Sequence, residues 1–142
     1  MPLKARIDTF FKRVNVSSPL NKVDWISIYK NLERLDPAWG KYLDSITYIS
    51  EDIPEGLETP CEQLIHYFIY RHFSGAVEDF LFGERVQFAV LSCYIITSLN
   101  KSKSVTEMLE IARMYSSEIE YSDENIDILL EKLHEYNRNN DK

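Results

Sequence analysis

The chain has 142 residues, of which 44% are hydrophobic, 13% aromatic and 27% charged, the size and make-up of one folded domain with its own core. Only 4 Gly and 5 Pro exclude a collagenous or low-complexity chain, and apolar residues in every segment exclude wholesale disorder. A net charge of -7 opposes nucleic-acid phosphates and anionic membrane surfaces, so neither is expected as a partner.

The acidity belongs to the later part of the chain. Residues 1–50 carry 8 basic and 5 acidic groups, whereas residues 51–142 carry 8 basic and 18 acidic. Residues 1–13 mix charge with apolar positions and contain no h-region, so no secretory signal is expected and a cytoplasmic location is the default.

Leu3, Ile7, Phe10, Phe11 and Val14 follow helical spacing, and Ser17, Ser18 and Pro19 interrupt it. From Val23, the positions Trp25, Ile28, Tyr29, Leu32 and Leu35 predict a second helix ending near Leu35, before Pro37. Asp36 reads as an N-cap with Pro37 at the first helical position, opening a short third helix through Trp39, Tyr42, Leu43 and Ile46. These N-terminal helices fill residues 1–50, and residues 51–58 read as a loop.

Thr59, Pro60, Cys61 and Glu62 have the pattern of a capping box, opening a helix through Leu64, Ile65, Phe68, Ile69 and Phe73. Gly75 is expected to kink or end that helix, and Gly83 to mark the next break. The segment 84–100 is apolar on nearly every face, which predicts a central buried helix. Its apolar run 86–99 is too short and too interrupted by Gln87, Ser92, Thr97 and Ser98 to span a bilayer. Ser104 and Glu107 form a second capping box before a helix with Val105, Met108, Leu109, Ala112 and Tyr115 on its expected inner face. Ser122 caps a last helix carrying Ile126, Leu129, Leu130 and Leu133, which is expected to fray from Asn137. The whole reads as an all-α single domain of six or seven helices, with a main core at 59–138 and a frayed tail at 139–142.

Gly40, Gly56, Gly75 and Gly83 are isolated, so no glycine-rich nucleotide loop is present. Cys61 and Cys93 form no C-x-x-C pair; two core thiols are the ordinary reading, with one disulfide or a reactive thiol as alternatives. Glu62, His66, His72 and Glu78 lack the spacing of a zinc or di-iron helix motif, and no metal site is expected. Tyr70, Arg71 and His72 form a polar cluster in an apolar half. They are either a ligand-facing patch or a structural group paired with Glu78 or Asp79. Residues 116–125 are densely polar at a helix junction. They either cap, with Glu118 and Glu120 solvated, or join the 70–73 helix in lining a small-ligand pocket with Arg71, His72, Arg113 and Asn125.

The segments LIHYFIYRHF at 64–73, RVQFAVLSCYII at 85–96 and IARMYSSEIEYSDENIDILL at 111–130, with LDPAW at 35–39, together resemble the C-terminal part of flagellin lysine-N-methylase-like proteins of bacteria. The family's R-x-Y-x-x-E-x-E-x-S-x-x-N pattern falls on Arg113, Tyr115, Glu118, Glu120, Ser122 and Asn125. The resemblance implies an S-adenosylmethionine-dependent protein lysine methyltransferase, with Tyr70, Arg71, His72, Arg113, Tyr115, Glu118, Glu120 and Asn125 as ligand- or substrate-binding candidates. The family's N-terminal C-x-x-C-x-x-C-C cluster is absent, so no metal cluster is expected here and the isolated chain is expected to be inactive. On that reading the chain is a fragment or a free-standing remnant, and its partners are a flagellin-like substrate or a cysteine-rich catalytic half. The alternative is a non-catalytic all-α protein-interaction module.

Overall fold

The computed structural model describes residues 2–20 and 23–140. Seven helices of seven residues or more occur among them: α1 (Leu3–Arg13), α2 (Trp25–Asn31), α3 (Pro37–Asp44), α4 (Glu58–His72), α6 (Phe82–Leu99), α7 (Val105–Tyr115) and α8 (Asp123–Asn140). A single helical turn, α5 (Ala76–Asp79), lies between α4 and α6, and no strand occurs among the described residues. None of these helices is long and apolar enough to cross a membrane.

The helix that is apolar all round sits at the centre. From Val86 to Thr97 every residue of α6 is buried, and α1, α4, α7 and α8 pack around it. A helix with no polar face has no stable place at a surface, so its composition fixes its position. Its polar residues are satisfied within the protein. The Gln87 amide donates to Asn137 Oδ1 and Ser17 O, both at 2.9 Å, and accepts from Asn137 Nδ2 at 2.7 Å, tying α6 to α8 and to the α1–α2 loop. No buried side-chain nitrogen or oxygen among the described residues lacks a partner.

The polar starts of α3, α7 and α8 form as their sequences predict. Asp36 accepts from the Ala38 amide, Ser104 from the Glu107 amide and Ser122 from the Asn125 amide, at 2.9–3.1 Å. The capping box expected at Thr59 does not form. Helix α4 begins earlier, at Glu58, because buried Leu57 anchors the chain and its carbonyl accepts the Cys61 amide at 2.9 Å. Glu62 is drawn away to Arg6 on α1.

Four further expectations are corrected. Helix α2 stops at Asn31, since Leu32 turns into extended backbone to enter the core, leaving Leu35 exposed. Gly83 lies inside the first turn of α6, and the break falls at Phe80, which adopts the left-handed conformation. The inner face of α7 is Met108, Ile111, Met114 and Tyr115, with Val105 and Leu109 exposed, because the larger apolar side chains lie on that face. Helix α8 continues through Asn140 and buries Tyr136; Asp141 and Lys142 lie outside the described residues.

Cys61 and Cys93 are joined in a disulfide linking α4 to α6, with their Cα atoms 6.2 Å apart. This replaces the two free core thiols expected from composition. The helical faces that bury these thiols also bring them together, and a sequence separation of 32 hides the relationship.

Candidate functional site

The junction after α7 is built from an uncommon backbone. Ser116–Glu120 winds as a π-helical turn, closed by the Tyr121 amide donating to Ser116 O at 3.1 Å. A π turn holds an extra residue, and here it turns three consecutive residues, Glu118, Ile119 and Glu120, into the protein. Both carboxylates thereby leave water, contrary to the reading of this segment as solvated.

They serve different ends. Glu118 accepts the backbone amides of Leu35 at 2.8 Å and Asp36 at 2.7 Å, fixing the extended segment that leads into α3. Its own carbonyl accepts Asn125 Nδ2 at 3.0 Å.

Glu120 faces α4. Its Oε1 lies 3.2 Å from His72 Nε2, and its Oε2 receives Ser116 Oγ at 2.9 Å and Tyr67 OH at 3.1 Å. Arg71 Nε lies 3.5 Å from the same oxygen. Burial raises the Glu120 carboxyl, but the hydrogen bonds and charge from His72, with the Ser116 and Tyr67 hydroxyls, outweigh it and hold the group below the ordinary carboxylate range. A carboxylate so completely occupied is a weak base, and the cluster holds a charge in place better than it moves a proton.

Above Glu120 the surface is aromatic. The Arg71 guanidinium lies 5.3 Å from the centre of the Tyr121 ring and donates to Tyr67 OH at 3.2 Å. A cation is therefore already seated between two tyrosines over a carboxylate. Tyr70, next in the helix, is 88% exposed.

Beyond the end of α4, Phe73 and Phe82 stand 5.7 Å apart and Phe82 and Phe80 6.5 Å apart, all three exposed, with Val77 exposed between them in sequence. Phe80 is held at φ 59°, a conformation costly for a bulky side chain. Arg85 secures this segment, donating to His72 O at 2.7 Å and to Asp79 at 2.6 Å. The fold thus spends backbone strain to leave a phenylalanine in water.

The residues singled out in the sequence separate into four places. Arg71, His72 and Glu120 come together at the end of α4, where Tyr70 points into solvent with no partner among the described residues. Glu118 and Asn125 join in holding the α3–α8 junction. Tyr115 is fully buried at the centre of an aromatic cluster with Tyr29, Trp39 and Phe68, its hydroxyl 2.6 Å from Ser92 Oγ and 2.8 Å from Tyr29 OH. Burial pushes the Tyr115 and Tyr29 hydroxyls well up, so both stay neutral donors.

Arg113 pairs with Glu110 on the exposed face of α7. Arg71, His72, Arg113 and Asn125 therefore do not line one pocket. The partner of Arg71 and His72 is Glu120, while Asp79 is taken by Arg85.

Sequence reasoning missed Tyr67, Phe80 and Phe82, and it placed Ser116 in the polar stretch without its bond to Glu120. Tyr67 is one turn before Arg71, a spacing that signals contact on a helix. Among the described residues no group of three or more His, Cys, Asp and Glu side chains is placed to hold a metal ion.

No family model matches the chain, and no curated protein and no solved structure shows significant similarity to it.

Proposed function

We propose that this chain is an all-α module that binds a protein partner through the aromatic face at the end of α4. The observation that carries this reading is the set of exposed aromatics Tyr67, Tyr70, Phe73, Phe80, Phe82 and Tyr121, concentrated on α4, the α4–α6 segment with the first residue of α6, and the residue that closes the π turn. Single exposed apolar residues are ordinary; clustered aromatic rings, one of them held out by a strained backbone, mark recognition surfaces.

The partner segment that suits this face is amphipathic and basic. Its apolar side chains meet the phenylalanines, and its cations suit a chain whose residues 51–142 carry 18 acidic groups against 8 basic.

The test is titration of the isotope-labelled chain with a leucine–lysine amphipathic peptide, followed by NMR, against the same peptide with glutamate for lysine. Shifts centred on Tyr70, Phe73, Phe80 and Phe82 with the lysine peptide, weakened at least tenfold by Phe80→Ser, are expected. Equal response to the glutamate peptide, or none from these residues, rejects the reading.

A second reading follows the resemblance to lysine N-methylases: the module is the helical part of a protein lysine N-methyltransferase, working with a cysteine-rich half on a flagellin-like substrate. What favours it is the seat occupied by Arg71, whose tyrosines and carboxylate suit a partner's lysine equally well. Calorimetric titration with S-adenosylmethionine tests the methyl-donor part of this reading. A lysine peptide that binds Arg71→Ala more tightly than the parent chain supports the substrate part.

A further inference from the structure

A separate cavity opens between α1 and α4, on a different face of α4 from the aromatic surface. Leu3, Ile7 and Phe10 of α1, Ile65 and Ile69 of α4, and Val90 of α6 line a space of about 390 Å³. That volume falls in the range of small-molecule sites, roughly 300–1,000 Å³. Leu3, Ile7, Ile65 and Val90 are buried and form an apolar floor, while Phe10 stands exposed at the mouth.

The polar groups of the lining are confined to three residues, Arg6, Glu62 and His66. Arg6 grips both oxygens of Glu62 through Nη1 at 2.5 Å and Nη2 at 2.8 Å, a two-pronged geometry that matches a carboxylate. A second depression of about 290 Å³ continues past Arg6 and Phe10 to Thr9 and Arg13. The charges around the mouth are therefore Arg6 and Arg13 against Glu62, with Glu58 one turn before Glu62 also acting on Arg6.

We propose that this cavity binds a small apolar carboxylate. The apolar body lies on the Leu3, Ile7, Ile65 and Val90 floor, and the carboxylate takes the Arg6 fork in place of Glu62. The exchange costs little, because an exposed ion pair contributes little net stability. Glu62, once released, has His66 one turn further along the same helix, and the charge of that ring already favours its ionised form. A quaternary ammonium head group has no hydrogen-bonding fork to take: it meets Arg6 and Arg13, and Glu62 is already held by Arg6.

The test is calorimetric titration of the full chain with decanoate, decanol and decyltrimethylammonium, each below its micelle concentration, with methyl NMR to locate the binding. Decanoate is expected to bind saturably, shift the Leu3, Ile7 and Ile69 methyls, and bind at least tenfold more tightly than decanol, with no binding of the ammonium compound. Arg6→Gln, a change at an exposed position, is expected to bring decanoate down to the level of decanol and leave decanol unaffected. Absent saturation, shifts confined to other methyls, equal binding of the ammonium compound, or decanoate affinity unchanged in Arg6→Gln would each overturn the proposal.

Discussion

The ring nitrogen Nε2 of His72 lies 3.2 Å from Oε1 of Glu120, a buried contact joining the last turn of α4 to the π turn that follows α7. Replacing Glu120 by Gln keeps the shape and removes the charge that four neighbours surround. A loss of about 1–3 kcal/mol of stability in chemical denaturation at neutral pH is expected, the usual cost of leaving buried polar partners mismatched.

The same carboxylate has a pH signature. Its folded value lies below that of the unfolded chain, so its contribution is fully present above the ordinary carboxylate range and is lost as the pH falls through the folded value. The stability gap between the parent chain and Glu120→Gln should therefore close on acidification. Denaturation curves that stay equally separated from neutral pH down to acid would contradict the assignment.

Glu118 makes a sharper test of the π turn, because its partners are backbone amides that mutation leaves in place. Glu118→Ala deprives the Leu35 and Asp36 amides of their acceptor, and a destabilisation of about 1–3 kcal/mol is expected. Hydrogen exchange at those two amides should accelerate well beyond that of the α6 core. Unchanged protection at Leu35 and Asp36 would show that the carboxylate is not their partner.

The Cys61–Cys93 bond closes a loop of 32 residues. In the chain-entropy account a loop of that length contributes about 3.5 kcal/mol, so reduction, or the paired change Cys61→Ala and Cys93→Ala, should lower Tm by on the order of 10 °C. Equal melting temperatures with and without reductant, after mass spectrometry confirms reduction, would count against the linkage. The bond also bears on where the protein works, since disulfides persist in oxidising compartments and are rare in a reducing cytosol.

Gly83 leaves room for the loop after α1. A Cβ at this position would stand 2.5 Å from Val16 Cγ1 and 3.6 Å from Val14 O. Gly83→Ala should cost about 1–3 kcal/mol through overpacking, and Val16→Ala in the same chain should recover part of it. Additive losses in the double variant would show that the two residues do not touch.

Much of the fold was legible because single residues dictated it. The all-round apolarity of residues 84–99 leaves the centre of a bundle as their only place, and Asp36, Ser104 and Ser122 announce the helix starts they cap. The site was legible only in part. Arg71 and His72 stood out as polar residues in an apolar helix, but their partner Glu120 lies 48 residues beyond His72. Glu118 and Glu120 sit among serines and acids that carry no apolar period, so nothing local marks them as buried. Thr59 misled for the opposite reason: a sound local capping pattern yielded to Leu57, whose burial set the helix start from a distance.

The π turn also bears on how relatives of this chain should be recognised. With one residue fewer at 116–120, the segment would wind as ordinary α-helix, and the side chains beyond it would be turned by about 100° relative to the helix that precedes it. A homologue lacking that residue would keep the letters Glu-x-Glu yet present at least one of the two carboxylates to water. Alignment by residue identity alone would then equate a buried ion with a solvated one, so the spacing between Tyr115 and Asn125 is a better mark of kinship than either glutamate.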